Sequence, residues 1–235
     1  MTHGGWKAPF KRPGMTFSQL LLQVLPLALG AAVSPLVLIL QLMLMARQGA
    51  RLASSWAFVA GNLLVLLAWT VVGSSLGHHL PPRGVGGDPA AAHLEIVLAL
   101  VLLSLALRAV RLPPSSTPPE PARPPGRHPL LGAFGFGLGT MGSNVTTFVL
   151  FLPAAQEVGR AALRPGLEAL VYGLLVVITL LPAWAPPALV MATGPAGRRQ
   201  LDRLHGFVLG HRRGINAAVA VLFALLLGAR GFSSL

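Results

Sequence analysis

Long stretches without charge constrain this chain more than any other feature. Four runs lack Asp, Glu, Lys and Arg: Pro13–Ala46, Leu52–Pro82, His128–Gln156 and Ala169–Gly197. About 20 apolar residues cross a bilayer as a helix, so each run holds a span with room for tilt or a break. Two shorter candidates are Ala90–Val110, with Glu95 and Arg108 near its ends, and Gly214–Ala229. Long charged side chains near helix ends reach the interface, so they do not veto a span. The expected helices run over about 18–46, 54–77, 91–110, 130–155, 167–192 and 213–231. Apolar residues are continuous rather than alternating, which disfavours a β-barrel, and lipid offers no partner to unpaired backbone. The expected fold class is an all-α polytopic membrane protein.

Composition supports this. At 54% hydrophobic and 10% charged residues, with a mean hydropathy of +0.70, the chain cannot cover a water-facing globule. The 18 Lys+Arg against 6 Asp+Glu would suggest nucleic acid in a soluble protein. Here the basic residues sit between apolar runs, where topology and anionic lipid place them, so no nucleic-acid partner is expected. Of these, 11 fall in alternate loops on one side and 7 on the other. That asymmetry predicts a multi-pass protein of the inner (plasma) membrane with both termini outside. The apolar run after Lys7, Lys11 and Arg12 is about twice the length of a signal-peptide core and has no clear small-x-small exit, so it reads as a span. The absence of Cys removes disulfides, thiolate nucleophiles, Cys-ligated metals and thiol relays.

Residues 112–129 contain eight prolines and form the obvious linker. It separates a first three-helix unit over 18–111, preceded by a tail over 1–17, from a second over 130–235. The halves resemble each other. An offset of 109 superposes Leu29 on Leu138, Gly30 on Gly139, Ser34 on Ser143 and Arg51 on Arg160; three further inserted residues bring Gly61 onto Gly173. A unit with an odd number of spans ends on the side opposite its start, so a second copy enters upside down. Inverted repeats of this kind recur in secondary transporters, with a substrate site near the midplane where helices are interrupted. Pro35 removes an N–H and crowds the Ala31 carbonyl, freeing backbone beside Ser34. Gly137, Gly139 and Gly142, with Ser143, Asn144, Thr146 and Thr147, make the matching weak point. The candidate substrate path is therefore Gly30, Ser34, Pro35, Asn62, Gly139, Ser143, Asn144 and Thr147. Small residues at these places also serve close helix packing.

No ionisable residue falls in the middle of an expected span. Glu95, Glu157 and Glu168 lie near ends; His78, His79 and His93 flank a loop containing Asp88, a set commoner as flexible loop residues than as metal ligands. Gln41 and Asn62 read as interhelical hydrogen-bonding groups. No Ser/His/Asp set, carboxylate pair or phosphate loop is recognisable, so neither an enzyme nor a cofactor or metal site is expected. Within 197–213, Leu201, Leu204, Phe207 and Val208 alternate with Arg198, Arg199, Arg203, Arg212 and Arg213. This spacing suggests an amphipathic interfacial helix touching anionic headgroups.

The run Leu25-Pro-Leu-Ala-Leu-Gly-Ala-Ala-Val-Ser-Pro35 resembles the opening of the peptidoglycolipid addressing protein family. Met43-Leu-Met-Ala-Arg47, Phe58-Val-Ala-Gly61-Asn62 and His211-Arg-Arg-Gly-Ile-Asn216 are also similar. The resemblance implies membership of the lysine exporter superfamily of six-span carriers. It also implies an association with moving mycobacterial-type glycolipids or sulfolipids to the cell surface. It places Ser34-Pro35 and Ser143-Asn144 at the two motif positions, although Val145 stands where an Asn-Pro motif would have proline. The missing cysteines separate the chain from the electron-carrying relatives. The expected function is export, or assistance to export, of a lipid, glycolipid or other amphiphile. Membrane lipids, and a homo-oligomer or export machinery, are the expected partners. The alternatives are an amino-acid or metal-ion exporter and a non-transporting scaffold for export machinery.

Overall fold

The computed structural model describes residues 17–46, 52–79, 89–111 and 129–233. Most of the N-terminal tail and nearly all of the Pro-rich linker lie outside these. Among the described residues every regular element is a helix: α1 (Phe17–Ala32), α2 (Pro35–Ala46), α3 (Leu52–His79), α4 (Pro89–Arg111), α5 (Pro129–Gly142), α6 (Val145–Arg160), α7 (Pro165–Thr179), α8 (Leu181–Thr193) and α9 (Pro195–Ser233). Proline opens α2, α4, α5, α7 and α9. There its missing N–H belongs to the unpaired first turn and its fixed φ suits the helix.

Three pairs of helices are bent at short breaks: α1 with α2 by 48°, α5 with α6 by 73° and α7 with α8 by 73°. The first two fall at Val33-Ser34 and Ser143-Asn144, where proline and glycines weaken the expected helices. The third, at Leu180, divides the expected 167–192 helix. Pro182 cannot donate to the Ile178 carbonyl, and the Trp184 indole donates to a different carbonyl beside the break, Val177 O, at 3.0 Å. Among the described residues a single helix, α3, is long and apolar enough to cross a membrane, and up to four spans result if each bent pair is one. Ile96–Arg108 in α4 and Gly214–Ala229 in α9 are shorter apolar stretches. The chain is a membrane protein by this pattern, with exposed Leu22, Val71, Leu131 and Leu225 presenting the apolar outer face that lipid covers.

The last helix differs from expectation. The segment 197–213 and the following span form the unbroken 39-residue α9, about 58 Å at 1.5 Å per residue. Gly194, at φ 57°, turns α8 into it; its N–H donates to Val190 O, and the left-handed backbone suits a residue without Cβ.

The core lies between α1, α3 and α6, where Leu20, Phe58, Leu66, Leu150 and Phe151 are fully buried. Trp69 of α3 packs edge-on against Phe148 of α6, with centroids 5.1 Å apart. α4 lies along α9 through Leu98, Ala99, Leu102 and Ala106 on one side and Ala220, Phe223, Ala224 and Leu227 on the other. α3 contacts α5 and α6, whereas α1 contacts α6 and α7. Backbones approach closely at Gly77, where a Cβ would lie 3.1 Å from Gly159 Cα, and at Gly61, where it would lie 2.9 Å from Leu138 N. Small residues let membrane helices meet in this way.

Candidate functional site

The two helix breaks meet. Pro35 has no N–H to give the Ala31 carbonyl, its partner in an uninterrupted helix. Thr147 of α6 supplies the missing donor: its Oγ1 donates to Ala31 O at 3.2 Å. Asn144 is the N-cap of α6, and its Oδ1 accepts from the Thr147 N–H at 3.2 Å. That leaves the amide nitrogen of Asn144 free to cross to the other break, where Nδ2 donates to Ser34 Oγ at 2.8 Å. Each break thus satisfies polar groups that the other exposes. Ser34 is half-buried, Asn144 is 8% exposed and Thr147 is 1% exposed, so the cluster sits inside the helices rather than in solvent.

Ser34 and Asn144 occupy the same place in their breaks, one residue before Pro35 and Val145 open α2 and α6. Helix ends therefore align the halves with an offset of 110 at this point, whereas sequence identity pairs Ser34 with Ser143. Ser143 is exposed and turns back on its own helix, donating to Gly139 O at 2.8 Å. Of the two expected neighbours, Asn144 makes the hydrogen bond across the breaks and Ser143 does not.

The other expected path residues scatter. Pro35 is buried beside Ser34. Gly30 lies one turn before it under the Phe223 ring of α9, which any Cβ would strike. Gly139 is exposed and a Cβ there would meet nothing within 4 Å, so it lines no close contact. Asn62 is fully buried on α3 against Gly137 of α5; its Nδ2 donates to Phe58 O of its own helix at 2.8 Å and no hydrogen bond links it to the breaks. Arg199 and Arg203 are exposed on α9, while the side chains of Arg198, Arg212 and Arg213 lie outside those described.

Some buried polar groups fall outside the expected path. Gln41 of α2 is fully buried, and neither amide atom has a hydrogen-bond partner among the described residues. Its sequence signal was a lone amide in an otherwise apolar run. Thr179, at the α7–α8 break, is 1% exposed and its hydroxyl is likewise without a partner there. Glu157 and Arg160 are buried near the end of α6. None of the three central residues carries charge, so the cluster can offer hydrogen bonds to an uncharged polar group. Among the described residues no three His, Asp or Glu side chains group as metal ligands.

Neither curated proteins nor solved structures include a match to this chain. The family model for Sap, the sulfolipid-1-addressing protein, does match, over residues 24–233, from within α1 to the end of α9. That range contains both breaks and every residue of the central cluster, and the chain belongs to the sulfolipid-1-addressing protein family.

Proposed function

We propose that this protein exports a lipid, glycolipid or other amphiphile across the membrane, or assists that export, through the cluster where the helix breaks meet. The family is named for a protein that addresses sulfolipid-1. What we carry over to this chain is the substrate class, an apolar body with a polar head. In this reading the two three-helix units are inverted copies. Their rocking opens the Ser34–Asn144 contact first to one side and then to the other. The carrying observation is the 2.8 Å hydrogen bond from Asn144 to Ser34, which joins one unit to the other at their weakest points. A lipid head competing for those groups replaces protein hydrogen bonds with its own. The absence of charge from the cluster fits such a head better than a bare cation.

The test is surface-lipid profiling of a deletion strain complemented with the parent, Ser34→Ala, Pro35→Ala or Asn144→Ala. A lipid class lost from the surface, restored by the parent and not by the variants at equal membrane levels, is the expected result. Export restored equally by all variants would favour a scaffold that does not transport. An unchanged lipid profile with altered resistance to an amino acid or a metal would overturn the lipid assignment.

A further inference from the structure

Among the described residues the cluster at the helix breaks holds no ionisable group, but one end of the bundle gathers several. Where α3 finishes and α7 begins, His78 Nε2 lies 3.3 Å from Glu168 Oε1, and Ser74 Oγ lies 3.3 Å from His78 Nδ1. Tyr172, one turn along α7 from Glu168, interacts through its phenol with the side chains of both Ser74 and Glu168. The same hydroxyl donates to Ala155 O of α6 at 3.2 Å. Three helices are therefore tied by one chain of polar groups. From these contacts we infer that His78 and Glu168, with Ser74 and Tyr172, form a proton-binding site that links protonation to the movement of α3 against α7. The inference rests on the exporter reading, since α3 and α7 belong to different three-helix units, and it names the proton as the coupling ion.

The geometry accommodates both protonation states. In the neutral ring Nε2–H donates to Glu168, and Nδ1 accepts from the Ser74 hydroxyl. A proton arriving from water binds Nδ1, which becomes a donor to Ser74 Oγ. The Ser74 hydrogen is then released to turn toward the Tyr172 oxygen. Loss of the proton to water reverses both turns, so no group is left without a partner in either state. The His78 side chain is 51% exposed, whereas the Glu168 side chain is 18% exposed and more shielded. A shielded carboxylate gains most from a cation beside it. Histidine is the side chain that ordinarily changes charge between pH 5 and 8.

Other charged groups surround the site. His79 is exposed on α3, and Arg164 precedes α7. α6 brings Glu157 and Arg160 in the turns that Gly77 and Ser74 touch. These two carry opposite formal charges, so α6 adds no net charge beside His78. The sign of the effect follows. With His78 charged and Glu168 ionised, attraction holds α3 to α7. When His78 loses its proton the ion pair becomes a hydrogen bond from a neutral imidazole to the still-ionised carboxylate, and the two helices separate more readily. A partly exposed pair of this kind changes the closed-to-open ratio by up to about fivefold.

The chain has no cysteine, so introduced labels meet no background. Leu76→Cys and Leu170→Cys, both at exposed positions on the two helices, carry spin labels in the purified full chain in lipid nanodiscs. Distance distributions are read at pH 5.5 and pH 8.5. We expect the short-distance population to fall relative to the long one, by up to about fivefold, at the higher pH. His78→Gln, which keeps a donor to Glu168 but cannot charge, should abolish the response. Equal distributions at both pH values, or an equal shift in His78→Gln, would overturn the site. No substrate enters this measurement, so its failure leaves the exporter reading intact. In cells, His78→Gln at parental membrane levels should lower surface lipid. Unchanged export with the pH response lost would overturn the coupling.

Discussion

Replacing Ser34 and Asn144 singly and together separates the cross-break bond from the cap that Asn144 also provides. Asn144→Ala removes two interactions: the cap on the Thr147 N–H, for which loss of an Asn cap costs about 1 kcal/mol, and the bond to Ser34. Interhelical hydrogen bonds in membranes average about 0.6 kcal/mol and reach about 1.7 kcal/mol. The single variant should therefore lose about 1.6–2.7 kcal/mol. Ser34→Ala loses only the cross-break bond and should cost about 0.6–1.7 kcal/mol. Once Asn144 is alanine, Ser34 has no such bond left to lose. The double variant should then cost about as much as Asn144→Ala alone, a coupling of about 0.6 kcal/mol or more. Reversible unfolding in mixed micelles with rising SDS, read by circular dichroism and Trp fluorescence, measures all four corners of the cycle. Losses that add to within about 0.3 kcal/mol would refute the argument, because independent sites behave that way.

The two glycines that the sequence superposes should behave oppositely. Gly30→Ala must displace the Phe223 ring and should cost about 1–3 kcal/mol by the same unfolding measurement, whereas Gly139→Ala enters open space and should be neutral or gain about 0.5–1 kcal/mol from helix propensity. Similar losses at both positions would contradict the placement of Phe223. At the α6–α7 turn Ala162 sits at φ 46°, in the left-handed region that Cβ disfavours, so Ala162→Gly should raise stability by up to about 1 kcal/mol. A clear drop in the unfolding midpoint would show that the turn gains from alanine what its backbone loses.

What was legible in the sequence followed from rules of the bilayer and of proline. Runs without charge marked helices, and Pro35 marked the first break because the loss of an N–H is written in one letter. Gly137, Gly139 and Gly142 marked the second only as a weak region, and the residue that bridges it was the amide beside the matching serine. Identity counting could not separate Ser143 from Asn144. The distinction depends on where α5 ends, and only then does a side chain face Thr147 or turn back on its own helix. The α7–α8 break hid for a related reason: the prolines at 182, 186 and 187 were visible, but which of them ends a helix was not, and the Trp184 indole that bonds Val177 O beside the break leaves no mark in the sequence. The sequence reading separated the arginine-rich 197–213 stretch from the apolar run after it because their compositions differ, whereas α9 continues through both and packs against α2, α4 and α8.

The division between a neutral centre and an ionisable end has a physical consequence for how such a protein could work. Hydrogen bonds at the breaks are individually modest, and a polar head can replace them with bonds of its own, so exchange there is close to balanced. A balanced centre lets the halves separate around a substrate at small cost, but for the same reason it gives the movement no direction. Direction has to enter from a group whose charge differs between the two compartments, and a charge at the centre would be expensive to hold in either state. Under the proposed coupling, His78 and Glu168 meet that requirement from the end of the bundle. The imidazole is half-exposed, the paired carboxylate is more shielded, and the two side chains stand on α3 and α7, the helices whose separation is proposed. Under the proposed reading, recognition and energy input are separate tasks assigned to separate places. Variants at Ser34 and Asn144 should then alter export and leave the pH response of the α3–α7 distance in place.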